Sequence, residues 1–487
     1  MKRILTILAA AMLTVSMLSA GAAGETEKTI KAMVEDASPK YVFMFIGDGM
    51  SSPQVNSAQV FNGCNESGLI DLKELTFTQF PVVGIQYTQD ATSFAPDSAS
   101  TATSLSSGFK THSGVIGMGI DKTTKGTTIA EMLRDKGWKI GIVSTVTINH
   151  ATPAAYYAHV ASRNDYYEIG LQMAASDFDY FGGGSVNQAD NGDKSIYEVL
   201  EDNGYLVTND RDTILSLNSD SGKVYAYSPV LQDDGAMMYA LDAEDDQLQL
   251  KDFVRKGIDV LDNETGFFMM VESGKIDWAG HANDALANIY DTLAFDEAIQ
   301  VAVEFAKQHP EETLIVVTGD HETGGMTIGY AATGYDTAFD ILRNQKCSFV
   351  AFDEMVAERT AAGDFSFNVL MDMVEENFGL VAPGESAEVE ALVMNDYEYA
   401  LLQKAYDDAM SGNVDGYEES LLYGGYNPIS VTLTHIINNK AGIGWTSYFH
   451  TGLPVPVYAY GEGAEAFIGS YDNTQVALRL MDLTDAR

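Results

Sequence analysis

The sequence is poor in basic residues. Its 487 residues include 28 Lys and Arg against 70 Asp and Glu, which gives a formal net charge of −42. Nucleic acids and anionic membrane surfaces attract basic proteins, so this balance argues against both as partners. Apolar and aromatic residues nevertheless make up 46% of the chain. That share is enough to build a substantial core, and it excludes an acidic disordered chain.

Cysteine is also scarce. The chain has two, Cys64 and Cys347, and no CxxC pair or cysteine cluster could supply a thiolate metal site. Spacing does not decide between one disulfide and two separate thiols, and both remain open.

The chain has one long apolar run, and it lies at the N-terminus. Lys2 and Arg3 precede an apolar stretch over residues 4–18, and Ala20-Gly21-Ala22 follows as a cleavage motif. The stretch is short for a membrane span, so the pattern predicts a signal peptide over residues 1–22. We therefore expect a periplasmic or secreted protein without a membrane partner.

No Pro-rich linker and no internal repeat divides the rest of the chain. Short apolar runs, such as residues 41–46, 139–143, 267–271 and 313–317, alternate with helical patterns. Such runs are typical of strands that are buried on both faces. The alternation predicts an α/β fold with a central, mostly parallel sheet flanked by helices on both faces, in one domain over residues 23–487.

One long segment departs from this alternation. Residues 325–442 are richer in Glu, Asp and Tyr, and their periodicity is helical. We interpret this segment as a large insertion, an inserted lobe or crown-like region. It could be a lid, a dimer arm or a passive surface lobe.

Polar residues follow several of the predicted strands. Asp48 and Glu272 come at the ends of two apolar runs, and Asp320 with His321 follows a third. In a parallel sheet the carboxyl ends of the strands meet at the edge where ligands bind. We therefore expect these side chains to lie close together.

Eight histidines are present, and one more of them has a spacing that suits a metal. His281 lies four residues after Asp277, so a helical turn would place both on one face. Imidazole and carboxylate together suit zinc without a thiolate. Taken alone, such a pair could also be a helix cap or a surface hydrogen bond.

A candidate nucleophile stands in the segment Pro96-Asp97-Ser98, which small residues follow. This pattern predicts the start of a helix, where backbone N–H groups and the helix dipole favour a phosphate or a developing alkoxide at Ser98. An ordinary helix cap is the alternative. No Gly-x-Ser-x-Gly motif surrounds Ser98, which argues against an α/β-hydrolase and indicates activation by a metal.

Together these residues resemble the alkaline phosphatases. The matching segments occur in family order and cover most of the chain: Phe45-Ile46-Gly47-Asp48-Gly49-Met50, Asp97-Ser98-Ala99, Ala151-Thr152-Pro153-Ala154-Ala155, Ser162-Arg163, Phe181-Gly182-Gly183-Gly184, Val271-Glu272, Asp277 with His281, Thr318-Gly319-Asp320-His321 and His450-Thr451-Gly452. The resemblance implies a three-layer sandwich fold, a homodimer and hydrolysis of phosphate monoesters. The insertion is similar to that of certain marine and cold-adapted members.

The resemblance also implies three metal positions. The ligands of one zinc would be Asp277, His281 and His450. The ligands of the second zinc would be Asp48, Asp320 and His321. The shell of a third metal, usually magnesium, would be Glu272, Thr152 and Asp48.

Two further roles follow from the resemblance. Ser98 is similar to the nucleophile that forms a phosphoserine intermediate, and Arg163 is similar to the arginine that binds the phosphate oxygens. A planar guanidinium can hold two equatorial oxygens at once, which a lysine would not reproduce.

Two residues depart from the pattern of many bacterial members. His150 stands where these carry a carboxylate beside the third metal, and imidazole suits zinc or cobalt better than magnesium. It could also be a histidine that never touches the metal. Trp278 stands where some members carry a lysine, so phosphate would be bound less tightly and released faster. His112 lies near the same pocket or is a structural turn residue.

Other classes fit the residues less well. A sulfatase would need a Cys/Ser-x-Pro-x-Arg context, which Ser98 does not have. Phosphodiesterases of the superfamily often use threonine as the nucleophile. A metal-dependent phosphomutase and a non-enzymatic phosphate- or metal-binding protein on the same fold complete the alternatives.

Overall fold

A computed structural model describes residues 37–67, 70–412 and 415–487. The predicted signal peptide over residues 1–22 lies outside these residues. Within the described ranges, no helix is both long and apolar enough to span a membrane.

The strands of the described residues number sixteen. In chain order they are β1 (Tyr41–Gly47), β2 (Val82–Tyr87), β3 (Lys139–Ser144), β4 (Tyr180–Gly183), β5 (Leu206–Thr208), β6 (Val224–Tyr227), β7 (Leu231–Gln232), β8 (Ala236–Met237), β9 (Phe267–Ser273), β10 (Thr313–Gly319), β11 (Glu322–Thr323), β12 (Thr327–Ile328), β13 (Ile443–Gly444), β14 (His450–Thr451), β15 (Val455–Gly461) and β16 (Gly469–Asp472).

Ten of these strands form one sheet in the order β16-β2-β15-β10-β1-β9-β3-β4-β6-β5. Neighbouring strands in it are parallel, except that β15 runs antiparallel to both β10 and β2. The predicted mostly parallel sheet is therefore confirmed.

Helices cover both faces of this sheet. In chain order the α-helices are α1 (Ser52–Ser67), α2 (Ser98–Ser107), α3 (Ile129–Asp135), α4 (Ala151–Ala154), α5 (Tyr166–Ala175), α6 (Ile196–Asp202), α7 (Arg211–Ser216), α8 (Leu250–Leu261), α9 (Lys275–His281), α10 (Ala285–Ala306), α11 (Phe349–Ala362), α12 (Phe367–Phe378), α13 (Asp396–Ser411), α14 (Gly416–Leu422), α15 (Pro428–Ala441) and α16 (Thr474–Leu483).

The core lies in two layers, one on each side of the sheet. Strand β1 is buried at every position, and its side chains alternate between the layers. Phe43 and Phe45 pack with apolar residues of α1, α8 and α10, whereas Val42 and Met44 pack with those of α2, α3 and α16. This burial on both faces explains why the strand is a continuous apolar run instead of an alternating one.

The segment over residues 325–442 is mostly helical and contains α11 to α15. Its two ends are joined by antiparallel pairing of β12 with β13, where Thr327 lies opposite Gly444. Phe352, Leu370 and Leu433 of this segment belong to the same apolar cluster as one face of the sheet. Its role as a lid, a dimer arm or a passive lobe stays a prediction.

Both cysteines are free thiols in the structure. Cys64 is half-buried on α1, and Cys347 is buried just before α11. The thiol alternative therefore holds, and burial raises the pKa of Cys347 to about 12.

Candidate active site

Three neighbouring strands place carboxylates at one edge of the sheet. Strand β1 lies between β9 and β10, and the parallel register aligns the last residues of all three. Asp48 and Asp320 directly follow β1 and β10, and Glu272 is the penultimate residue of β9. All three side chains are buried.

These carboxylates repel one another in the absence of cations. Burial, and then the charges of Asp320, Asp277 and Glu272, raises the pKa of Asp48 well above its ordinary value. Burial is also the main cause that raises the pKa of Glu272 to about 7 and that of Asp320 to about 6. Asp48 Oδ1 and Glu272 Oε1 have no hydrogen-bond partner among the residues that the structure describes. Buried carboxylates with unpartnered oxygens are costly unless cations neutralise them.

Helix α9 carries Asp277 and His281 one turn apart. Asp277 Oδ2 lies 3.4 Å from His281 Nε2, and Asp277 Oδ1 lies 3.6 Å from the Nε2 atom of His450 on β14. The two imidazoles also face each other, with 3.0 Å between their Nε2 atoms. One carboxylate and two imidazoles thus converge on one point.

The tautomers of these two histidines follow from their other nitrogens. His281 Nδ1 lies 2.6 Å from the Tyr448 carbonyl oxygen, and His450 Nδ1 lies 2.6 Å from the Pro96 carbonyl oxygen. A carbonyl only accepts, so each Nδ1 carries the proton and each neutral ring has a lone pair at Nε2. Two lone pairs that face each other at 3.0 Å repel. A cation between them would relieve this repulsion, and so would a second proton on His281, whose pKa burial acts to lower but Asp277 raises overall. Backbone bonds of this kind fix the tautomer of metal-ligating histidines.

His321 occupies the centre of a second group. Its Nε2 atom lies 3.2 Å from Asp48 Oδ1, 3.3 Å from Asp320 Oδ2 and 3.2 Å from Ser98 Oγ. Burial, more than any other cause, lowers the pKa of His321 to about 4, so the ring is neutral at physiological pH. Asp48, Asp320 and His321 could together hold a metal ion, and so could Asp277, His321 and His450.

A third set of oxygens consists of the carboxylates of Asp48 and Glu272 and the hydroxyl groups that donate to them. The Thr152 hydroxyl on α4 donates to Asp48 Oδ2 at 3.2 Å, and the Ser144 hydroxyl donates to Glu272 Oε2. Asp48 therefore contacts both the His321 group and this oxygen-rich set. Hydroxyl and carboxylate oxygens without imidazole are the donors that magnesium prefers.

Ser98 is the first residue of α2, as the sequence predicts. Asp97 is the N-cap, and its side chain accepts from the backbone N–H of Ser100 at 3.2 Å. The Ser98 hydroxyl is buried against His321, and Thr101, one turn further, donates to Asp320 Oδ2 at 2.9 Å. The helix start thereby fixes Ser98 beside the second group of ligands.

Arg163 reaches the same helix start from the loop before α5. Its Nη1 atom donates to Asp97 Oδ2 at 3.0 Å, and its Nη2 atom lies 3.4 Å from His150 Nε2. Burial acts to lower the pKa of Arg163, but Asp97 outweighs it and raises that pKa. Arg163 therefore carries a positive charge beside Asp97, the cap of the helix that begins at Ser98.

His150 and Trp278 form one wall of this site. Their rings meet edge to face with 5.7 Å between centroids. Within the described ranges of the chain, His150 Nδ1 is buried without a hydrogen-bond partner. Burial lowers the pKa of His150 to about 3. The predicted pocket residue His112 lies half-buried in the loop after α2. In the described part of the chain it makes no hydrogen bond or ring contact with the site residues.

Comparison with known proteins agrees with this geometry. The family model for alkaline phosphatase matches residues 39–182 and 184–485. The chain belongs to the alkaline phosphatase family. Alkaline phosphatase 3 of Bacillus subtilis (strain 168) is 30% identical over 486 residues, which span 98% of this chain and 96% of that protein.

Solved structures of the family have the same fold. The cold-active alkaline phosphatase of the psychrophile Shewanella sp. superimposes with a TM-score of 0.75 at 28% identity, over 91% of this chain and 99% of that chain. The alkaline phosphatase of the Antarctic bacterium TAB5 gives a TM-score of 0.62 at 25% identity, over 92% and 98% of the two chains. The resemblance drawn from the motifs is confirmed, and the chain is a phosphomonoesterase of a metal-dependent family with candidate metal-ligand groups.

The sequence motifs of this alkaline phosphatase family member did not identify Glu322. Its buried carboxylate accepts from Gln54 Nε2 at 2.8 Å, from two backbone N–H groups and from the Thr451 hydroxyl. Strand β11, which contains Glu322, pairs with β14, which contains His450. Glu322 therefore holds the strand that carries His450, a candidate metal ligand.

Thr323 was missed as well. Its hydroxyl donates to Asp277 Oδ1 and lies 3.3 Å from His321 Nδ1. Thr323 thus contacts both candidate metal groups, the one that contains Asp277 and the one that contains His321. Its position two residues after His321 in the sequence was the one available signal.

Proposed function

We propose that the chain hydrolyses phosphate monoesters to an alcohol and inorganic phosphate through a phosphoserine at Ser98, with two zinc ions and a third metal. The convergence of Ser98 Oγ, Asp48 Oδ1 and Asp320 Oδ2 on His321 Nε2, all within 3.3 Å, carries the proposal. A buried hydroxyl at a helix N-terminus thus lies among atoms that could ligate a metal. This combination suits attack on phosphorus and has no use in packing alone.

The residues present fit three cations. Asp277, His281 and His450 would hold one zinc, and Asp48, Asp320 and His321 the second. Asp48, Thr152 and Glu272 would hold the third metal, magnesium. The unpartnered oxygens and the facing imidazole nitrogens support this assignment. When bound, such cations lower the pKa of hydroxyl groups and water and neutralise developing negative charge.

The protein groups orient and bind the reacting ester. The N-terminus of α2 presents its dipole to Ser98, which favours an anionic oxygen there. Ser98 Oγ forms a bond to phosphorus while the bond to the alcohol oxygen breaks, and a water molecule then cleaves the phosphoserine. Arg163, held by Asp97, binds two equatorial phosphate oxygens through its planar fork. Spontaneous hydrolysis of phosphate monoesters is among the slowest of biological reactions, so each contact contributes to a large barrier reduction.

His150 and Trp278 bear on the third metal and on product release. His150 Nδ1 is buried and unpartnered, which supports zinc or cobalt as an alternative to magnesium at the third position. Trp278 supplies an apolar wall without a positive charge, so we expect weak phosphate binding and fast release. Trp278→Lys should then strengthen inhibition by phosphate.

The cellular setting also belongs to the proposal. The predicted signal peptide supports a periplasmic or secreted enzyme, and the family resemblance supports a homodimer. Both can be checked by fractionation and by sedimentation of the purified protein.

Metal analysis coupled to hydrolysis of p-nitrophenyl phosphate tests the proposed function. We expect bound zinc, activity that a chelator removes and that added zinc and magnesium restore, and a preference for monoesters over diesters and sulfate esters. Activity that survives complete metal removal would refute the mechanism. Metal binding without any turnover would favour a binding protein on the same fold.

A further inference from the structure

Two exposed aromatic residues lie beside the strand of His450, and the reaction described above uses neither. Phe94 is 85% exposed and Phe449 is 62% exposed. The Phe449 ring meets the His281 ring edge to face, with 6.5 Å between centroids. The backbone of Phe94 lies against Gly452 at the end of this strand, because a methyl group at Gly452 would lie 2.9 Å from the Phe94 carbonyl oxygen. We call Phe94 and Phe449 the aromatic rim.

The rim lies where the alcohol part of a substrate leaves the site. In-line displacement puts the entering and leaving oxygens on opposite sides of phosphorus. The entering oxygen, Ser98 Oγ, lies beside His321, so the leaving oxygen falls on the side of the other two imidazoles, His281 and His450. Phe449 contacts one of these and precedes the other in the sequence.

Packing does not account for the two rings. Both are mostly exposed, and neither belongs to the apolar clusters of the described residues. An exposed ring beside a site offers a flat apolar face to a ligand, and aromatic pairs favour stacked or edge-to-face contact. A polyol ester offers no such surface.

We propose that the aromatic rim binds the alcohol part of the substrate, so that the enzyme favours phosphate monoesters with aryl or other flat apolar leaving groups. The inference rests on the proposed function, because it needs turnover of monoesters at this site. One aromatic contact is worth about three- to tenfold in kcat/KM. Phe449 contributes more than Phe94, because its ring contacts the imidazole of His281.

The test compares 1-naphthyl phosphate with glycerol 1-phosphate in the zinc-loaded enzyme. For each variant, the ratio of the two kcat/KM values is divided by the wild-type ratio, so that the intrinsic reactivity of the leaving groups cancels. We expect Phe449→Ala to lower this ratio about three- to tenfold through KM for the naphthyl ester, with a smaller effect of Phe94→Ala. Phe449→Trp should preserve the ratio. Tyr397→Ala, at a 71% exposed position on α13, is the matched control and should leave it unchanged.

The outcomes distinguish failure of the proposed phosphomonoesterase function from failure of the inference about the aromatic rim. A wild-type enzyme that hydrolyses neither ester would refute the proposed function. Hydrolysis of both esters with an unchanged ratio in Phe449→Ala and in the double Phe94/Phe449 variant would overturn only the inference about the rim. An unchanged ratio together with an altered sedimentation coefficient would assign the rings to contact between copies of the chain, and would also overturn it.

Discussion

Asp97 joins two parts of the site, and replacing it with asparagine separates them. One carboxylate oxygen accepts from the Ser100 N–H as the cap of α2, and the other accepts from Arg163. Burial acts to raise the pKa of Asp97, but Arg163 and the backbone N–H groups of Gly114 and Ser100 hold that pKa below its ordinary value. Asp97→Asn keeps the oxygen for the cap and turns an N–H₂ group toward Arg163.

The size of the effect on phosphate binding follows from the hydrogen bond between Asp97 and Arg163 that the substitution removes. A hydrogen bond to a charged group contributes about 1.5–3 kcal/mol. The side chains of Arg163 and Asp97 are 23% and 21% exposed, so we take the lower end, about 1.5 kcal/mol. We expect KM for p-nitrophenyl phosphate and Ki for inorganic phosphate to rise together by about tenfold, because substrate and product present the same oxygens to Arg163.

Steady-state kinetics with phosphate as a competitive inhibitor measures both constants. Thermal unfolding in parallel should show Asp97→Asn destabilised by no more than about 1.5 kcal/mol, whereas Asp97→Ala should lose about 1 kcal/mol more with its cap. The matched control is Asp210→Asn, because Asp210 caps α7 through Thr213 on the exposed surface. If Ki for phosphate does not change in Asp97→Asn, the account of how Arg163 is positioned is wrong.

Three further predictions concern metal retention, pH and salt. Glu322→Gln puts an N–H₂ group where the carboxylate accepts hydrogen bonds, which should loosen β14 and lower zinc retention against a chelator about tenfold. Zinc retention at the wild-type level would contradict the role of Glu322. His159 bonds to Glu131 at 2.9 Å. Burial lowers the pKa of His159, but Glu131 outweighs it and the net pKa is raised, so this contribution to stability is present below pH 6.5 and is lost as pH rises through the raised pKa. His159→Gln should therefore destabilise the fold more at pH 6 than at pH 9, and chemical denaturation with equal losses at both would refute this. The net charge of −42 repels phosphate esters at long range. Because salt screens this repulsion, kcat/KM should stay constant or rise as salt is added to a low-salt buffer. A steep fall in kcat/KM would contradict this prediction.

Local patterns in the sequence were sufficient for the fold and for most of the candidate site. Continuous apolar runs such as β1 indicate strands that are buried on both faces, and the residues that follow them must meet at one sheet edge. The pairing of Asp277 with His281 could be predicted because one helical turn is enough to place both side chains on the same face. Ser98 needed only the start of a helix, because the cap pattern at Asp97 is local.

Other parts depend on contacts between distant segments. In the sequence, nothing distinguishes Glu322 from other acidic residues. Its role depends on the pairing of β11 with β14, which places the Thr451 hydroxyl against its carboxylate. The tautomers of His281 and His450 depend on carbonyl groups of Tyr448 and Pro96, which no spacing rule identifies. The free state of Cys64 and Cys347 also required the tertiary structure.

The central claim is that Ser98 becomes phosphorylated during turnover. Acid quenching of the metal-loaded enzyme with excess substrate, followed by peptide mass spectrometry, measures this directly. The account predicts a single phosphoryl group on the peptide that contains Ser98, and none in Ser98→Ala, which should still bind zinc and lose turnover. An unmodified Ser98 peptide in the active enzyme under excess substrate and inorganic phosphate, or full activity in Ser98→Ala, would contradict it.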